Sequence, residues 1–200
     1  MSHLFDQIQE AKASIQARWD KTPVAGIVLG TGLGGLADDI TADVKIPYGE
    51  IPHFLSSTAP SHKGQLVCGT LAGKPVVAME GRFHFYEGYD LRRITFPVRA
   101  MRALGADVLV VSNACGGMNP QWNRGDIMLI DDHINLLGAN PLIGPNDDRL
   151  GERFPDMSEP YKKELVKKAE AIAARLGTKN IALSITHTSE EALAHVILEN

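Results

Sequence analysis

Between Gly81 and Gly88 the chain reads Gly-Arg-Phe-His-Phe-Tyr-Glu-Gly, and three of these side chains are suited to one shared task. In an extended segment Arg82, His84 and Tyr86 alternate onto one face, with Phe83 and Phe85 on the other. That face then carries a planar guanidinium suited to phosphate, an imidazole that donates near neutral pH, and a phenol. The bland alternative is a strand end with a solvated charged face. Three such groups packed into five residues favour the chemical reading.

Two other stretches offer backbone rather than side chains. Gly30-Thr31-Gly32-Leu33-Gly34-Gly35 directly follows a predicted strand, and its glycines let N–H groups converge on an anion. It has neither the P-loop lysine nor the full dinucleotide fingerprint, so ATP and NAD are poor candidates, and a purely structural turn is the competing reading. Ser112-Asn113-Ala114-Cys115-Gly116-Gly117 stands at the end of another predicted strand, where small residues again allow close approach to a ligand. His62 lies in the polar turn Pro60-Ser61-His62-Lys63-Gly64; alone it reads as surface decoration, as do His53 and His133. No set of residues has metal-ligand spacing, so no metal is expected. There is no Gly-x-Ser-x-Gly elbow and no credible Cys/His dyad, which leaves covalent hydrolysis unsupported.

The elements that must position these groups follow from periodicity. Leu4, Ile8, Ala11, Ile15 and Trp19 mark one face of a first helix ended by Pro23. Val24 to Leu29 is an apolar run of the kind buried on both faces of a sheet. Gln65 to Leu71 and Val76 to Glu80 flank Ala72-Gly73-Lys74-Pro75 and predict a hairpin, so the Gly81–Gly88 segment leaves the sheet at a carboxyl edge, where open α/β sheets bind ligands. Asp90 to Leu104 has helical spacing, with Pro97 expected to kink it or mark a boundary. Strands follow at Asp107 to Val111 and Ile127 to Ile130, then a long Gly/Pro-rich loop from His133 to Met157. Tyr161 to Leu176 predicts a helix opened by Pro160, Ile181 to Thr186 a short strand, and the residues from Ser189 a short helix. The alternation implies an α/β fold in one domain spanning residues 1–200.

Composition narrows the partners. Twenty basic and 24 acidic side chains give a net charge of −4, which argues against binding nucleic acid or an anionic membrane in general, so any phosphate must be held locally. Apolar runs are too short to cross a bilayer, and the amino-terminal residues mix acids and bases, so a cytoplasmic location is expected. Cys68 and Cys115 read as buried free thiols.

Five blocks carry a family resemblance: GTGLGGLAD, SHKGQLVCG, EGRFHFYEGYDLRRITFPVRAMRALGAD, SNACGGMNPQWNRGDIMLIDDHIN and RFPDMSEPY occur in order. They resemble the purine nucleoside phosphorylases of the homotrimeric class, from about Val24 to about Leu176. A relative acting on methylthioadenosine fits the GRFHFYEGYDLRRITFPVR block less well. The resemblance implies a mixed, partly closed central sheet flanked by helices. It implies a pentosyltransferase of purine salvage that converts a purine ribo- or deoxyribonucleoside, such as inosine or guanosine, and inorganic phosphate into free base and sugar 1-phosphate. It implies no cofactor, phosphate being a co-substrate, and a homotrimer.

By the same resemblance Thr31, His62, Arg82, His84 and Ala114 bind phosphate, with Arg82 and His84 catalytic. Tyr86 contacts the ribose, and so does Phe154, reaching into a neighbouring subunit's site. The family's purine contacts, a glutamate, a methionine-serine pair and a late asparagine, have no secure counterpart, and His187 is a weak candidate in the asparagine's place. Family members are longer, so the carboxyl-terminal region reads as shortened, with strands missing. Residues 178–200 are atypical, either joined after an internal deletion or unrelated, and 181–186 are expected to fill the vacant sheet edge or oligomerisation to change. A shortened, catalytically impaired phosphate-binding member is the alternative function.

Overall fold

The glycine-rich turn, the hairpin and the buried apolar runs organise a mixed α/β fold. The computed structural model describes residues 3–30, 34–55, 63–113, 115–116, 118–123, 126–175 and 181–184. The backbone forms two units, residues 1–110 with 139–153, and residues 111–138 with 154–200.

The first unit begins with α1 (Leu4–Gln16), which buries Ile8, Ala11 and Ile15. Helix α1 stops before Trp19, whose ring is nonetheless buried and whose indole N–H donates to Asp43 at 2.8 Å. The predicted apolar strand is β1 (Ala25–Val28), followed by the five-residue α2 (Gly34–Asp38). Strands β2 (Thr41–Pro47), β3 (Gln65–Leu71) and β4 (Lys74–Glu80) come next, then α3 (Leu91–Leu104) and β5 (Val108–Val111), whose last residue opens the second unit. The sheet order is β2-β3-β4-β1-β5. Strand β4 is therefore antiparallel to β3 on one side (Gln65↔Glu80) and parallel to β1 on the other (Ala25↔Val76).

Local chemistry explains the hairpin. Ala72 and Gly73 at its tip both have positive φ, 47° and 76°, the pair of left-handed residues that a two-residue turn requires. Gly69 faces β2 so closely that a Cβ there would lie 2.3 Å from the Thr41 carbonyl oxygen. Core residues Ile27, Leu29, Val67, Val76 and Ala78 close one face of the sheet with Ala37 and Ile40.

Helix α3 decides one alternative: it runs through Pro97, which therefore marks no boundary. Asp90 caps its start by accepting the Arg93 N–H at 3.0 Å, and Gly105, at φ 112°, stops it. Pro97 is itself buried with Phe96, Ala100 and Met101, so the packing of this face outweighs the missing backbone donor.

In the second unit β6 (Ile127–Ile130) pairs in parallel with β7 (Ile181–Ser184), so the predicted late strand is partnered. Helix α4 (Lys163–Arg175) starts two residues later than expected, because Tyr161 turns inward to pack with Leu129 and Val166. The long loop from His133 to Met157 contains no regular element and is pinned by side chains. Asn135, Asn140, Asp147 and Asp156 each accept the N–H two residues onward. Among the described residues no helix is long and apolar enough to cross a membrane.

Candidate active site

Strand β4 ends on Glu80, only 5% exposed, whose carboxylate accepts from Gln65 at 2.6 Å and pairs with Lys63 at 2.8 Å. Burial pushes its pKa up, but the bonds from Lys63 and Gln65 outweigh burial and leave it below the ordinary value. The chain then turns at Gly81, φ 103°, whose carbonyl accepts the buried Tyr48 hydroxyl at 2.6 Å. Phe83 is packed inward against Tyr48, ring centroids 5.3 Å apart. The segment carrying the candidate groups is thus fixed from below at two successive odd positions.

Above that anchor the polar side chains meet. Arg82 Nε donates to His84 Nε2 at 3.2 Å, and His84 Nδ1 lies 2.9 Å from Glu87 Oε1. An Nε2 that accepts from a guanidinium carries no proton, so in this arrangement Nδ1 holds it and donates to Glu87. His84 and Glu87 are each 13% exposed at the side chain, whereas Tyr86 is 81% exposed and stacks on the imidazole at 4.7 Å. Burial draws the Arg82 pKa below its ordinary value, and Tyr86 acts in the opposite direction; the guanidinium stays charged. The product is a partly buried cation beside an imidazole of fixed orientation, under one exposed phenol.

Arg82, His84 and Tyr86 are therefore brought together, but not by simple alternation. The extended backbone ends at His84, and Phe85–Glu87 form a single 3-10 turn closed by Gly88 at φ 86°. The turn leaves Phe85 about half exposed, 48%, instead of buried opposite the polar face. It also swings Glu87 back onto His84. Glu87 was not singled out from the sequence; the signal was a histidine and a carboxylate three residues apart before a glycine.

Thr31, His62, Ala114 and His187 lie outside the described residues, as does the short helix expected from Ser189. Because β1 and β4 run parallel, with the Leu29 N–H bonded to the Met79 carbonyl at 3.2 Å, Gly30 and Gly81 leave the sheet at the same edge. In the second unit Phe154 is 84% exposed, and Ser112 is buried. Cys68 is buried as expected, and burial raises its thiol pKa to about 12, but Cys115 is exposed, which corrects the expectation. The residue stands just beyond the strand, where the small neighbours that allow ligand approach also leave it uncovered.

Two further histidines, His53 and His133, serve structure. His53 bonds Glu10 at 2.6 Å at the surface. His133 meets the buried Tyr161 hydroxyl at 2.8 Å, and its pKa is lowered by burial, against the pull of Asp132. Among the described residues no three His, Cys, Asp or Glu side chains are grouped to hold a metal ion.

Known proteins resemble the chain in both sequence and fold. The sequence model of the phosphorylase superfamily matches residues 24–193. Purine nucleoside phosphorylase 1 of Bacillus subtilis is 50% identical over 194 residues, covering 96% of this chain and 72% of the relative. Its namesake from Geobacillus stearothermophilus is 52% identical over 172 residues, covering 86% of this chain and 63% of the relative. A crystal structure of a purine nucleoside phosphorylase in complex with ribose-1-phosphate superposes with a TM-score of 0.85 at 38% identity, over 92% of this chain and 70% of that one.

Proposed function

This chain belongs to the phosphorylase superfamily, among its purine nucleoside phosphorylases, and on that premise we propose that it catalyses reversible phosphorolysis of purine nucleosides. The observation that carries the reading is the Arg82–His84–Glu87 chain under Tyr86, at the sheet edge from which the Gly30 loop also departs. In the reaction a phosphate oxygen bonds to C1′ of the sugar as the bond from C1′ to the purine nitrogen breaks. The base leaves with the bonding pair and takes up a proton. Little covalent work falls to the protein, so positioning and charge stabilisation dominate.

Arg82 supplies the fixed positive charge for phosphate. With Nδ1 committed to Glu87, the His84 ring is held in one orientation beside Arg82, so Glu87 is a positioning residue. Thr31, His62 and Ala114 complete the phosphate site in this proposal. The exposed Tyr86 ring offers an apolar face to the sugar. Phe154 serves the sugar of a neighbouring protomer, which makes the homotrimer the active form. The base-holding residues stay unassigned, His187 being the weak candidate. No cofactor is used, and the setting proposed is cytoplasmic purine salvage. The alternative, a shortened and catalytically impaired phosphate binder, has no observation in its favour.

The test is phosphate-dependent release of hypoxanthine from inosine by the purified folded chain. Release that needs phosphate and yields ribose 1-phosphate supports the assignment. Phosphate and nucleoside binding without release would overturn it.

A further inference from the structure

Within the first unit, the amino end of α1, one stripe of α3 and the loop of residues 141–153 line a half-open cavity of about 690 Å³. No residue of the Gly81–Gly88 segment lines it, so it is separate from that cluster. Its chemistry is cationic: Arg92, Arg99, Arg149 and Arg153 line it against Asp147 and Asp148, leaving two positive charges in excess. Arg92 and Arg99 stand seven residues apart, hence about two turns apart on one stripe of α3.

The four guanidiniums are held differently. Arg149 is committed to protein: its Nε and Nη2 grip Asp147 at 2.8 and 2.7 Å, and Asp6 lies 3.6 Å away. Arg92 donates to the Ile143 carbonyl, and Arg153 Nη1 to the Gly144 carbonyl at 2.5 Å. The Ile143 carbonyl orients the Arg92 guanidinium without cancelling its charge. Gly144, at φ 129°, is a position where a Cβ would strike the Arg92 guanidinium, so the glycine admits this arrangement. Arg99 makes no hydrogen bond or ion pair with another described residue. A half-buried arginine facing this half-open cavity, beside two others held in place, is ready for an oxyanion.

Size and lining then narrow the ligand. The cavity falls within the ~300–1,000 Å³ range of sites that enclose organic ligands, well beyond a lone phosphate. Leu142 and Leu150 add apolar wall. We propose that this cavity is a second anion site that binds a phosphate-bearing ligand of nucleotide size.

Calorimetric titration of the full chain with ATP, and separately with inorganic phosphate, tests this. The expected result is that ATP binds, that added salt weakens it, and that Arg99→Gln weakens it by ~10-fold or more, as for loss of a charge-assisted bond. Arg82→Ala should leave ATP affinity unchanged, and Arg99→Lys, which keeps the charge, should retain most of it. Inorganic phosphate should bind far more weakly at the Arg99-dependent site. The proposal falls if ATP does not bind, if Arg82→Ala abolishes binding that Arg99→Gln preserves, or if phosphate alone binds this site as tightly. It also falls if Arg99→Gln and Arg99→Lys lose affinity equally while both lower the melting temperature, since the loss is then structural.

Discussion

Tyr86 and Phe154 are both almost wholly exposed aromatics, at 81% and 84%, yet the segments that carry them are built in opposite ways. Tyr86 stacks on His84, which is held by Arg82 and Glu87, over a backbone anchored by Tyr48 and Phe83. Phe154 rises from a loop with no regular structure, between Gly151 and the turn pinned by Asp156. One segment is organised within itself before a ligand arrives. The other presents a hydrophobic group whose use depends on what comes to meet it. On the proposed assignment, preorganisation suits the anion, whose charge must be matched in place, while an apolar contact tolerates a less constrained support.

Four substitutions break or sharpen that contrast, taken from the largest effect downward. Arg82→Met removes the cation on the organised side and should lower kcat/KM by roughly 100- to 1,000-fold, with phosphate binding lost in calorimetry. A loss no larger than that of a surface arginine would dissolve the distinction. Glu87→Ala frees the imidazole and should cost about 10- to 100-fold, equivalent to the ~1.5–3 kcal/mol of a hydrogen bond to a charged group. Restoration of most of this by Glu87→Gln would identify orientation as its role.

Phe154→Ala should raise the nucleoside KM by about tenfold with little change in melting temperature, since the ring is exposed. If the proposed trimer forms, mixing the Phe154→Ala protein with the impaired Arg82→Met protein should restore activity, because hybrid trimers would contain sites with both residues intact; no regain would place Phe154 in its own protomer's site or in none. Tyr48→Phe, the smallest change, deletes only the bond to the Gly81 carbonyl and should lower stability by about 1 kcal/mol in urea titration. A larger drop in activity than in stability would show that the anchor also sets the geometry above it.

How far the sequence reveals these features depends on the range of the forces involved. The apolar run at β1 and the hairpin at Ala72-Gly73 are dictated by neighbouring residues, and both are legible. Alternation places Arg82 and His84 correctly, then fails at Phe85, because a period of two does not register a local 3-10 closure. Gly88, the left-handed residue that closes the turn, was the overlooked cue, and with it Glu87. Pro97 leaves a kink or a boundary open for the converse reason: its backbone preference is local, and buried packing around Phe96 and Met101 carries the helix through it. The arginine cavity needs Arg92 and Arg99 from a helix and Arg149 and Arg153 from a loop some fifty residues on, a meeting that no short-range pattern records.

The placement of β4 between a close neighbour and a distant one also has a consequence in time. Its hairpin with β3 closes across two residues, whereas Ala25 of β1 waits for Val76. During synthesis at about 5–20 residues per second, β1 is made several seconds before its partner. For that interval an apolar strand has no edge to join, so the nascent chain's period of greatest exposure to aggregation falls early and ends when β4 is finished.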